Sequence, residues 1–309
     1  MKNTAVCLAF SLSLFLSACD NPAQPLEQEP EQTAREADFS TEPTASDQRS
    51  SFVLRNINVF DGSDYLKIIV SGQRAKQGMP TLDTETIAAL VEAAHSRGLL
   101  AVAHVETTDD VRAVLSGGIG GLVHVWRDSG LAAELSVLLT KQSVFVITTL
   151  VTQDGFVDSA RRSTLVADFR LRPFMSEKAV AELTTRRGGA DLENIDRFLQ
   201  AASGLIDAGV TILVGTDVSA GTTYHGASVH RELELLVLAG LSPVDAPAAA
   251  TPNVAKAFGI DDRGSISPEM CADLLLVRGD PTKDTTATRD IIGIWRNGVR
   301  MDRVLEAEG

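Results

Sequence analysis

Basic residues are in the minority in this chain of 309 residues: 28 Lys and Arg stand against 41 Asp and Glu, for a formal net charge of −13. Binding to a phosphate backbone draws on clustered Lys and Arg, and their absence excludes nucleic acid as a partner. Cysteine is scarce too. Cys7 falls in an N-terminal leader and Cys19 directly follows it at a modification site, so Cys271 stands alone and no disulfide is available. The apolar run over residues 5–16 is shorter than the ~20 residues that cross a bilayer. No Gly-rich phosphate loop follows the later strands, which argues against a sugar- or phosphate-handling barrel. Only five histidines occur, and no two of them form a His-X-His pair.

What is present at the N-terminus is a Lys, the apolar run, and then Leu16-Ser17-Ala18-Cys19, the layout of a secretory leader over residues 1–18. Leu-Ser-Ala-Cys resembles the bacterial lipobox. That resemblance implies lipidation of Cys19 and a membrane association through the lipid, at the periplasmic face of the bacterial cell envelope. Asp20 and Asn21 resemble a signal for the inner membrane. A plain leader with a chance cysteine fits the same residues. Residues 19–50 are rich in Glu, Gln, Pro, Thr and Ser, cannot bury enough apolar surface to offset ordering entropy, and are expected to be a disordered tether.

From Tyr65 onward, short apolar strands alternate with longer amphipathic helices, the pattern of parallel βα units in an α/β fold. Strands are expected at 65–70, 99–104, 121–125, 143–150 and 211–216, and helices at 83–97, 108–116, 130–141, within 160–208, at 228–239 and at 243–258. Pro243 and Gly259 punctuate the last helix. Beyond it come isolated strands, 272–277 and 291–299, the second closed by the turn Asn297-Gly298. With the similar stretch 52–60 they suggest a small β domain drawn from residues 51–62 and 260–309, flanking βα units over 63–259.

Two histidines occupy equivalent places: His104 ends Leu-Leu-Ala-Val-Ala-His, and His124 lies near the end of Gly-Leu-Val-His-Val. Neighbouring parallel strands lie about 4.8 Å apart and their carboxyl ends share one face, so two such imidazoles can converge on one metal. Two core histidines, each separately hydrogen-bonded, fit the same residues. Lys67 interrupts an apolar strand, where a buried ammonium needs compensation, unless it faces the surface. Asp217, closing Ile-Leu-Val-Gly-Thr-Asp, puts a carboxylate at a fourth strand, where it calls for a cation or hydrogen-bond donors.

Tyr65-Leu-Lys-Ile-Ile-Val-Ser-Gly, Val102-Ala-His-Val, Gly121-Leu-Val-His, Leu213-Val-Gly-Thr-Asp, His230-Arg-Glu-Leu-Glu and Ala250-Thr-Pro-Asn-Val-Ala together resemble the imidazolonepropionase-like and prolidase-like branch of the amidohydrolase superfamily. The resemblance implies a TIM-like (β/α) barrel and hydrolysis of an amide C–N bond in a dipeptide or cyclic amide. It also implies one or two divalent ions, of which zinc suits the imidazoles. Lys67 matches the lysine that bridges two metals once carboxylated, and His104 and His124 match histidine ligands. Asp217 matches an aspartate that ligates metal and takes a proton from the attacking water. Tyr224 and His225 match a substrate-facing loop. His230 is expected to pack or cap, and His95 carries no chemistry.

The chain departs from that pattern at its first metal ligands. The family carries a His-X-His pair on strand one and well over a hundred residues ahead of the lysine strand, whereas here Asp61-Gly62 runs almost directly into Tyr65-Leu66-Lys67. An incomplete barrel of about five βα units is therefore expected, open on one side unless a partner such as a second copy covers it. Two functions remain in view: a metal-dependent amidohydrolase, of reduced activity if the inner ion is poorly held, or an inactive lipoprotein relative that still binds metal or a ligand.

Overall fold

The computed structural model describes residues 5–9, 64–78, 81–126, 128, 133–157, 164–184, 195–218 and 222–303. All of these fall in one compact unit, which contains two sheets. The first is parallel, in the order β2 (Tyr65–Ile69), β3 (Leu100–His104), β4 (Gly121–Val123), β5 (Phe145–Ile147), β6 (Ile212–Leu213). Strand order follows chain order, as right-handed βα crossovers produce. Among the described residues the sheet does not close, and β2 and β6 are its outer strands.

Helices cover one face. The apolar stripes of α2 (Thr84–His95), α3 (Thr108–Ser116) and α4 (Ala133–Lys141) bury Ile87, Val91, Val111, Val114, Leu135 and Leu139 against Ile68, Ala101, Ala103, Leu122 and Val146 of the strands. The helices start where side chains satisfy their orphan amides. Asp83 accepts from Thr86 N at 2.8 Å, and Thr107 and Asp110 form a capping box that opens α3.

The other face carries a second apolar cluster. Phe258, just after a short helix (Pro252–Ala257), lies 5.4 Å from the Tyr65 ring and 5.5 Å from that of Phe145. With Val102, Val123, Phe145 and Leu213 it forms an apolar plug. The plug is tight: a Cβ on Gly121 would sit 2.3 Å from the Phe145 ring, so that strand position has no space for a side chain.

The second sheet is antiparallel, ordered β1 (Ala5–Ala9), β7 (Leu274–Arg278), β8 (Ile291–Arg296), β9 (Val299–Met301). The expected strand at 52–60 lies outside the described residues, as do Cys19 and all of the expected tether. The place beside β7 is taken instead by Ala5–Ala9, inside the stretch read as a leader. An apolar segment of five residues can pair with a free strand edge through its backbone alone.

Buried ion pairs fasten the C-terminal part to the parallel layer. Arg289 donates to Asp168 at 3.0 Å and also to Glu234 on α8 (Ala227–Leu238). Arg231 of the same helix bonds Asp154 at 3.0 Å. Asp168 is shared by Arg170 and Arg289, and the Arg170 guanidinium, with Arg289 assisting, holds its carboxyl far below the usual carboxylate range.

Two segments contradict the sequence expectation: the helix expected at 243–258 is broken ahead of Pro252 into Asp245–Ala249 and Pro252–Ala257, and the fourth strand ends early. Residues 148–150 were expected to continue the fourth strand, but Leu150–Val157 forms a helix, α5. Its first amides, Leu150 N and Val151 N, donate to Glu232 of α8 at 3.1 and 2.7 Å, and the Thr148 hydroxyl joins them at 2.5 Å. A carboxylate more than eighty residues away serves as the cap, which no local pattern reveals.

Candidate functional site

His104 ends β3 and His124 follows β4, and the two imidazoles meet edge to face with ring centroids 4.5 Å apart and planes 79° apart. His124 is buried and His104 half-buried. Parallel register sets Ile69 beside His104 and Lys67 beside Val102, so Lys67 shares the face of the sheet that carries His104 and the apolar plug. Asp217 follows β6. Both Lys67 and Asp217 lie close enough to act electrostatically on the His104 imidazole. Burial pushes its pKa down, Glu106 pulls it back up, and the opposite charges of Lys67 and Asp217 act in opposite directions.

Lys67 itself is exposed. The expectation that it is a buried ammonium in need of compensation is therefore corrected: β2 is an outer strand, and among the described residues no neighbour covers its free side. The cost of desolvation cannot identify Lys67, and its position beside the histidines has to do so.

Backbone strain marks the same strand ends. His124, Thr149 and Asp217 follow three successive strands and all adopt left-handed φ, at 79°, 50° and 43°. Such values are uncommon for any residue with a Cβ and more so for a β-branched threonine. Two contacts brace them: His124 Nδ1 lies 2.6 Å from Thr149 Oγ1, and Thr223 Oγ1 donates to the Asp217 carbonyl at 3.1 Å.

Three neighbours escaped the reading of the sequence. Glu106 Oε1 lies 3.3 Å from His104 Nε2, while its Oε2 accepts from Ser71 Oγ at 2.5 Å. Asp110 accepts from Glu106 N at 3.1 Å and from Gly72 N at 2.8 Å, tying the ends of β2 and β3 together. The signal for Glu106 was its spacing, because a carboxylate two residues beyond a strand histidine returns to the same face. Thr149 carried no signal, since its contact depends on its neighbour in the adjoining strand.

The remaining candidates have partners of their own. Tyr224 is half-buried with its hydroxyl 3.3 Å from Ser176 Oγ, and His225 is exposed, its ring centroid 6.3 Å from that of Tyr224. His230 is buried with Nδ1 2.9 Å from Thr288 Oγ1, and burial pushes its pKa down to about 3. His95 lies exposed in the last turn of α2.

The profile of the amidohydrolase family matches residues 58–301. The chain belongs to the amidohydrolase family. Within it, this amidohydrolase is 38% identical over 109 residues to an imidazolonepropionase of Deinococcus deserti, covering 33% of this chain and 27% of that one. It is 23% identical over 248 residues to the ochratoxinase of Aspergillus niger, covering 77% of this chain and 46% of the relative. The solved structure of a Xaa-Pro dipeptidase with bound methionine in the active site superposes with a TM-score of 0.59 at 23% identity, covering 78% of this chain and 55% of that chain. A phenylurea hydrolase B structure gives 0.59 at 22%, covering 78% and 54%. The chain thus spans roughly a quarter to a half of the length of these relatives, and the structural likeness shows the fold: five parallel strands of a TIM-like barrel, with no closed barrel among the described residues.

The family generally binds divalent metal. Among the described residues no group of three or more His, Cys, Asp and Glu side chains is arranged to hold an ion. The two imidazoles, with ring centroids 4.5 Å apart, are two nitrogen donors of the kind a tetrahedral site would use, fewer than such a site needs.

Proposed function

We propose that this amidohydrolase cleaves an amide C–N bond of a small substrate, such as a dipeptide or cyclic amide, at a divalent metal held by His104, His124, Asp217 and a carboxylated Lys67. The approach of the two imidazoles at the carboxyl ends of adjacent parallel strands supports the reading most directly, and the strained backbone at His124 and Asp217 accords with it. Zinc suits the imidazole pair. Bound there, the ion would supply a Lewis acid that polarises the carbonyl and lowers the pKa of a water.

The chain's own residues carry the rest. Asp217 is the general base; it is half-buried and close enough to act electrostatically on His104. Tyr224 and His225, on the loop that leads into α8, face the substrate. Cys19 carries a lipid that holds the protein at the periplasmic face of the envelope. The open edges of β2 and β6 are the surfaces that a second copy would cover.

The missing His-X-His pair favours a second reading, an inactive relative that retains metal or ligand binding. The test is to load purified protein with zinc and assay a panel of dipeptides and cyclic amides. Turnover that disappears in Asp217→Asn supports the hydrolase, and stoichiometric zinc without turnover supports the binding protein.

A further inference from the structure

Thr149 holds its left-handed backbone, φ 50°, between two residues that bond the same oxygen atom. Glu232 Oε1 accepts from the Thr148 hydroxyl at 2.5 Å and from Leu150 N at 3.1 Å, while Oε2 accepts from Val151 N at 2.7 Å. The grip encloses the turn that sets the Thr149 hydroxyl 2.6 Å from His124 Nδ1. The backbone reinforces the link, since His124 N donates to Ile147 O at 2.9 Å and Val125 N to Thr148 O at 3.3 Å. Helix α8 therefore reaches His124 through the turn between β5 and α5.

Three donors suit a carboxylate, which only accepts. A protonated carboxyl carries a hydrogen of its own, and wherever that hydrogen sits it faces a group that was donating. The Thr148 hydroxyl can turn to accept it, whereas the amides cannot. Glu232, Thr148 and Thr149 are all buried, so bulk water is not at hand to replace a lost partner.

Burial pushes the Glu232 pKa up to about 7, the bonds from Thr148, Val151 and Leu150 pull it back, and the negative charge of Asp154 on α5 adds to the rise. Other charges around α8 are engaged elsewhere or exposed. Arg231 bonds Asp154, and Arg289, in the turn Thr285–Arg289, is taken by Asp168 and Glu234. His230 faces Thr288. Asp196, Arg197 and Asp207 on the helix Asp196–Asp207, and Asp245 on Asp245–Ala249, are exposed.

We propose that Glu232 is a positioning residue for His124: its carboxylate clamps the turn Thr148–Val151, the turn sets the Thr149 hydroxyl on the imidazole, and uptake of one proton by Glu232 loosens the clamp. The clamp is a property of the turn alone, while its bearing on turnover rests on the hydrolase reading above. A carboxylate that merely capped α5 would leave His124 indifferent to Glu232.

The test uses the full chain, ¹⁵N-labelled and free of metal, with NMR spectra followed from pH 5.5 to 8.5 and His124→Gln to assign the ring signals. In the wild type the Leu150 and Val151 amide protons are expected to move downfield in one step near pH 7, and the His124 ring nitrogens to show a step with the same midpoint. Both steps should vanish in Glu232→Gln, which is neutral at every pH, leaving only the titration of His124 itself. Thr148→Val removes one donor to the carboxylate and should raise the midpoint by roughly 0.5–1 pH unit, the worth of one such bond; Thr148→Ser should keep the wild-type midpoint. Circular dichroism checks that each variant folds, and the Thr148 pair carries the test if Glu232→Gln does not. Ring signals of His124 that titrate identically in wild type and Glu232→Gln would overturn the proposal, as would a midpoint unmoved in Thr148→Val. If the steps appear as expected but zinc-loaded protein turns over no amide, the hydrolase reading fails and the clamp stands.

Discussion

His124 Nδ1 and Thr149 Oγ1 lie 2.6 Å apart across neighbouring strand ends, and both residues have left-handed backbone. Strain at two residues in contact persists only when the surroundings over-determine it. The hydroxyl is buried, so its removal leaves a buried imidazole nitrogen without this partner. Thr149→Val is expected to destabilise the fold by about 1–3 kcal/mol, and Thr149→Ser by much less, measured by urea unfolding. A loss in Thr149→Ser as large as in Thr149→Val would show that the methyl group matters as much as the hydroxyl and would contradict the expectation.

Two buried titratable groups on α8 give opposite pH dependences. Burial raises the Glu232 pKa from 4.5 to about 7, and burial lowers that of His230 from 6.5 to about 3. For Glu232 the folded state holds its proton longer than the unfolded state, so its contribution to stability is full below pH 4.5 and is lost as pH rises to about 7. For His230 the unfolded state takes up the proton first, so its contribution is full above pH 6.5 and is lost as pH falls toward about 3. Between pH 4.5 and 6.5 the two slopes oppose each other. Glu232→Gln should therefore give a protein whose stability rises with pH across that window, and His230→Gln one whose stability falls, each by up to a few kcal/mol, on the order of the shift times 1.4. Denaturant midpoints measured from pH 4 to 8 check the signs. The same slope in both variants would contradict the assignment.

Arg289 pairs with Asp168 and Glu234 in a largely buried setting. Arg289→Met would remove the cation that Asp168 and Glu234 share while leaving Arg170 on the first and Arg231 on the second, and a loss of about 1.5–3 kcal/mol is expected. Arg289→Lys, which keeps the charge, should lose less by urea unfolding. A lysine variant as unstable as the methionine one would show that the charge was not the source of the loss.

Much of the parallel sheet was legible in the sequence because each strand is a short apolar run bounded by helical periodicity. Helix α3 was read with the bounds 108–116 that the structure shows, since Thr107 and Asp110 mark its start locally. His104 and His124 could be singled out because both close such runs. What stayed hidden depends on contacts between distant segments. Glu232 caps α5 from another helix, and Thr149 meets His124 only once β4 and β5 are paired. The exposure of Lys67 follows from its strand lying at an edge; the strand's own residues, apolar on both sides of the lysine, suggested the reverse.

Lipidation is tested at Cys19. The wild type is expected in the membrane fraction with the mass of a lipid at Cys19, and Cys19→Ser is expected in the soluble fraction without that mass. Unchanged fractionation and mass would remove the anchor.

The measurement that bears most directly on the site is the divalent-metal content of purified protein by elemental analysis, for the wild type, His104→Ala and His124→Ala. At most one tightly bound ion per chain is expected in the wild type, because the two imidazoles can hold one ion while a second would have only Asp217 and a carboxylated Lys67. Either substitution should release it. Two equivalents in the wild type, or one equivalent that survives both substitutions, would contradict the account.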